Sequence, residues 1–187
     1  MIWRGVLGYL PVNIAQGVVG LLTIVLFTQI LSPAEYGIYA LAFSVLSLTQ
    51  TALLTWTEAA MARFLARADE DGRLPDHFAT LYRLWVLAAL AIPVVAAVVL
   101  RFWPMPAPLK VAIAAAFAAA AVKSLAKMSQ ERRRAAGEVS GAALLDVIQT
   151  VGGFALGLVL ALVGLGGAAP ILGTGGVALL CLVFELP

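Results

Sequence analysis

No Asp, Glu, Lys or Arg occurs between Arg4 and Glu35, between Glu35 and Glu58, or between Asp146 and Glu185. A helix of about 20 apolar residues crosses the hydrocarbon core of a bilayer, so uncharged intervals of this length constrain the fold more than any other feature. The rest of the chain agrees: hydrophobic residues make up 63% and charged ones 12%, with a mean hydropathy of +1.01. Those values lie outside the soluble globular range. The sequence therefore predicts an all-α, polytopic transmembrane helix bundle, one domain over residues 1–187. Its six spans are placed at about 10–31, 36–57, 83–102, 109–128, 141–163 and 171–184. The last two are separated by Gly164, Gly166, Gly167 and Pro170, because the uncharged stretch holding them is too long for one helix.

Threading the chain through six spans sorts its basic residues. Arg4, Arg63, Arg67, Arg73, Arg83, Lys123, Lys127, Arg132, Arg133 and Arg134 fall on one side, and only Arg101 and Lys110 on the other. Loops rich in Lys and Arg stay cytoplasmic, so both termini are expected inside, in a multi-pass protein of the cell (inner) membrane. The apolar run after Arg4 is too long for a signal peptide and is not followed by a small-residue cleavage pattern.

Chemistry-bearing motifs are sparse. Cys181 is the lone cysteine and lies in an apolar span, which excludes a disulfide framework and reads as a small buried hydrophobe. His77, also alone, reads as a surface residue of a loop, since metal sites need several ligands. No Gly-rich phosphate loop, nucleophile triad or pair of catalytic carboxylates appears, so the chain is not expected to be an enzyme, and no cofactor or metal is implied. A formal net charge of +2 gives no case for nucleic-acid binding.

Between the first two spans stands Leu31-Ser32-Pro33-Ala34-Glu35-Tyr36-Gly37-Ile38-Tyr39. Ser32 suits an N-cap, Pro33 the first helical position and Glu35 the third residue of a capping box, so the second helix should start sharply. With this hairpin, the Glu58-Ala59-Ala60-Met61-Ala62-Arg63 segment and the basic stretch Gln130 to Gly137, the chain resembles the polysaccharide-export flippases of the multidrug/oligosaccharidyl-lipid/polysaccharide exporter superfamily. The resemblance covers the chain in layout and specific residues mainly in the first 70. It implies translocation of a polyprenyl-pyrophosphate-linked oligosaccharide for cell-surface polysaccharide (O-antigen) assembly. It also implies two lobes rocking about a cavity, of which this chain supplies one. A truncated product, or a half-size protein pairing with itself or with a separate second lobe, is the expectation.

Polar side chains inside a bilayer are costly and tend to face the bundle or a wet cavity. Asn13, Gln16, Gly20 and Thr23 recur every three or four residues in the first span, as do Ser44, Ser47, Thr51, Thr55 and Glu58 in the second. Asp146, Gln149, Thr150, Gly153 and Gly157 do so in the fifth. These stripes either line a path for a sugar headgroup or pack helices together. The path candidates are Asn13, Gln16, Ser47 and Thr51, with Arg63 as a guanidinium to meet a pyrophosphate. Asp146 and Gln149 are ion-coupling candidates, although Asp146 could instead pair with Lys123, Lys127 or an Arg of the basic connector. Glu58 reads as solvated or paired with Arg63. The third span, apolar all round with a kink at Pro93, reads as lipid-facing, and the Arg132–Arg134 cluster as a topology determinant touching membrane lipids. Two other functions fit the same layout: a lobe of a drug/cation antiporter, or a membrane scaffold or inactive fragment that transports nothing.

Overall fold

The computed structural model describes the backbone of residues 2–185 and the side chains of residues 12–134 and 136–184. Every regular element among them is helical: α1 (Ile2–Ile30), α2 (Pro33–Thr49), a π-helical turn (Gln50–Leu54), α3 (Thr55–Glu70), α4 (Leu74–Phe102), α5 (Ala107–Ala135), α6 (Val139–Leu162), a 3-10 turn (Gly166–Ala168) and α7 (Ala169–Glu185). They form six helices long and apolar enough to cross a membrane, because α2, the π-turn and α3 run on as one helix of 38 residues. The protein is a six-span membrane bundle.

Several boundaries depart from the sequence reading. The second helix does not stop near residue 57 but continues to Glu70, since Ala59, Ala60, Ala62, Ala66 and Ala68 favour helix whether or not lipid surrounds them. α4 starts at Leu74 rather than near residue 83, with Pro75 in its first turn, where a missing N–H costs nothing. Pro170 likewise starts α7 and does not break it. Just past the ends of α3 and α5, Gly72 and Gly137 have φ of 66° and 83°. Each closes a turn by letting the next residue reach back, Arg73 N–H to the Ala68 carbonyl and Glu138 N–H to the Arg133 carbonyl.

α5 and α7 form the centre. α7 packs on α6 and α5, α1 lies on α6, α2 on α5, and α3 and α4 cover the far side of α5. The core is built from small residues: Ala112, Ala116, Ala119 and Ala120 of α5 meet Ala42 and Leu46 of α2 and Ala168 and Ile171 near the start of α7. Without a hydrophobic drive between helices in lipid, close backbone approach supplies the attraction. The tightest approach joins α6 and α7. A Cβ on Gly153 would lie 3.0 Å from the Thr174 Cα, and one on Gly157 3.0 Å from the Pro170 Cα. A Cβ on Gly173 would enter the Gly157 backbone. The outer surface carries Leu21, Ile24, Leu48, Leu87, Val94 and Leu162, all exposed, as a lipid-facing belt requires.

The first hairpin forms as its residues dictate. Glu35 N–H donates to Ser32 Oγ at 3.4 Å, while Ser32 N–H donates to Glu35 Oε2 at 2.9 Å, a complete capping box. The hairpin seats on the link between the last two spans, where Gly166 and Gly167 leave room for the Glu35 side chain and backbone. At the opposite end, the end of α3, the start of α4 and the end of α5 enclose a cavity of about 370 Å³ beside Asp69, Phe78 and Arg132. The connectors 71–73 and 136–138 thus share the basic end.

Candidate substrate path and charge network

The structure places the stripes of the first two spans on open surfaces. Asn13, Gln16 and Gly20 are exposed on α1, and Ser44, Ser47, Thr51 and Thr55 are exposed along the second helix. Gln16 and Ser47 each lie 14 residues from the helix ends that meet at the hairpin, about 21 Å along the axis at 1.5 Å per residue. α1 and α2 make few contacts with each other, held near the hairpin by Phe27 against Tyr39, with ring centroids 5.9 Å apart. Some hydroxyls are satisfied within their own helix: Thr23 Oγ1 donates to the Val19 carbonyl at 2.7 Å and Ser44 Oγ to that of Ala40 at 2.9 Å. Arg63 is exposed at the basic end, its Cζ 5.8 Å from the centre of the Phe64 ring, within cation–π range. Arg4 lies outside the residues with described side chains.

The stripe of the fifth span divides. Gly153 and Gly157 are buried against α7, so this part is a helix contact. Asp146 sits in a charge network: Arg134 Nη2 reaches its Oδ2 at 3.4 Å, and Arg134 Nη1 donates to Glu131 Oε1. All three side chains are 16–18% exposed. Lys123 is within electrostatic reach of Asp146. Gln149, one turn further along α6, is half-buried. An Asp146 held in this way balances charge between α5 and α6, and releasing it to an ion requires Arg134 to move.

A second polar cluster escaped the sequence reading. Glu58 Oε1 accepts from Ser124 Oγ at 2.6 Å, and Ser124 Oγ accepts from Trp85 Nε1 at 3.1 Å. Glu58 is therefore neither a solvated carboxylate nor the partner of Arg63, but the meeting point of α3, α5 and, through Ser124, α4. α4 is largely exposed, as its apolar surface implied, and turns only a narrow face inward: Leu81 and Ile92 are buried, with Trp85 packed beside them. His77 also belongs to this face, half-buried with Nε2 3.2 Å from the Met61 carbonyl, instead of standing on the surface of a loop. Cys181 is buried within α7. The signal for the cluster was present in Ser124 and Trp85, two hydrogen-bonding residues in predominantly apolar spans. Their helical phase relative to Glu58 emerges only in three dimensions.

No known family model, curated protein or solved structure matches this chain.

Proposed function

We propose that this chain is a lobe of a flippase that moves a polyprenyl-pyrophosphate-linked oligosaccharide across the cell membrane, with both termini in the cytoplasm. The observation that carries the reading is the pair of polar faces on α1 and α2. Asn13 and Gln16 are exposed at the same distance from the hairpin as Ser47 and Thr51, on two helices that separate below it. An amide facing acyl chains leaves donors and acceptors unmatched. A wet path between this lobe and a second six-span body supplies the partners, and a sugar needs the mixture of donors and acceptors that amides and hydroxyls offer. Arg63, exposed at the basic end, suits a pyrophosphate arriving from the cytoplasmic side. The hairpin sequence, Leu31 to Tyr39, supports the same family.

Deleting the gene in its host is expected to abolish surface polysaccharide and to accumulate the lipid-linked oligosaccharide. The wild-type chain should restore export, whereas Asn13→Leu with Gln16→Leu should insert normally and fail to restore it. Unchanged surface polysaccharide in the deletion strain would overturn the reading. Reporter fusions test the orientation separately: those at Asp71 and Arg133 should report cytoplasm and one at Pro106 periplasm, and the reverse pattern refutes it.

A further inference from the structure

The second span is interrupted where its two halves take different neighbours. From Gln50 to Leu54 the helix widens into a π-turn, a feature concentrated at functional sites. Hydroxyls also donate to carbonyls of the turn: Thr55 Oγ1 to Gln50 O at 3.0 Å, beside the Thr55 N–H, and Thr57 Oγ1 to Leu54 O at 2.6 Å. Before the turn, α2 packs on α5 and α7. After it, α3 packs on α4 and α5.

Glu58 lies one turn beyond this interruption. Its hydrogen-bond donor, Ser124, is fully buried, and the hydroxyl's single hydrogen is committed to the carboxylate while the Trp85 indole occupies a lone pair. Three helices are therefore joined through one oxygen. We propose that Glu58 is a proton-binding site whose charge state sets how firmly α3 is latched to α4 and α5 beside the π-turn. Taking one proton from water turns the carboxylate into a neutral acid. The charge-assisted bond from Ser124 then becomes an ordinary one, roughly half as strong.

The surroundings connect that event to the rest of the bundle. On α5, Lys127 and Glu131 act electrostatically on Glu58 with opposite signs. α4 contributes the uncharged Trp85, with His77 about two turns nearer the basic end on the Met61 carbonyl. On its own helix, Arg63 stands exposed beside Phe64. Ser124, Lys127, Glu131 and Arg134 follow one another at spacings of three, four and three, so they share a face of α5. Since Arg134 pairs with both Glu131 and Asp146, signs alternate from Glu58 on α3 to Asp146 on α6. Neutralising Glu58 removes the first charge of this row and frees Lys127 to lean on Glu131. The inference is independent of the cargo, so it survives failure of the flippase reading.

The test uses Trp85 as its own probe. In the full chain carrying Trp3→Phe, Trp56→Phe and Trp103→Phe, reconstituted in phospholipid nanodiscs, Trp85 emission should show one sigmoidal transition with pH. Glu58→Gln should hold the emission at its low-pH value throughout, and His77→Gln should leave the transition in place. Ser124→Ala, which withdraws the donor from the carboxylate, should displace the midpoint by about one pH unit. Emission that does not change with pH, a transition that survives Glu58→Gln, or one that vanishes with His77→Gln instead overturns the proposal. Should Glu58→Gln fail to fold, an unmoved midpoint in Ser124→Ala overturns it equally.

Discussion

The contact between α6 and α7 and the separation between α1 and α2 are built from similar residues to opposite ends. Glycines recur on α1, at Gly17 and Gly20, and on α6, at Gly153 and Gly157. A Cβ on either α1 glycine meets nothing within 4 Å, whereas those on α6 would press on the α7 backbone. Small residues at helical spacing therefore do not by themselves mark an interface. What distinguishes the two is the facing surface: α7 answers with Gly173, Thr174 and Pro170, while α1 presents its stripe to open space. One region spends its small residues on cohesion, and the other keeps a surface available.

The sharpest way to break this contrast is to add side chains to both. Gly173→Val should destabilise the bundle by more than about 3 kcal/mol or prevent folding, because its Cβ must displace the Gly157 backbone. Gly20→Ala should be neutral or slightly stabilising through helix propensity, by up to about 1 kcal/mol. Unfolding in mixed micelles measures both, and similar losses would erase the distinction. A smaller effect is expected at the charge network beside the packed region. Arg134→Met removes the guanidinium that pairs with both Glu131 and Asp146 and should cost about 2 kcal/mol. Adding Asp146→Asn should recover much of that loss if the pair is the cause. The least effect on stability, within about 0.5 kcal/mol, is expected from Asn13→Leu with Gln16→Leu, although those changes should lower export most. A large stability loss there would assign the amides to packing.

Legibility in the sequence followed the range of the physics involved. The spans were readable because each lacks charge over a bilayer's thickness, and the Ser32–Glu35 box because all its partners lie within four residues. Helix ends at the basic end were not, since Ala-rich segments such as 58–68 stay helical after leaving lipid, and no charge pattern reports that. Asp146 offered several plausible cations; choosing Arg134 requires the turn at Gly137 that folds α6 back along α5. The link from Glu58 to Ser124 spans 66 positions in sequence. Helical periodicity fixes which residues share a face, but not which neighbour that face meets.

The continuous second helix has a mechanical consequence. Beyond the π-turn, α3 extends 16 residues, about 24 Å at 1.5 Å per residue, and ends in the acidic run Asp69, Glu70 and Asp71. It is a lever arm with its fulcrum at Gln50–Leu54. A rotation of about 10° there would carry the tip through roughly 4 Å. Displacements of atomic size at the fulcrum thus become movements at the basic end as large as a side chain.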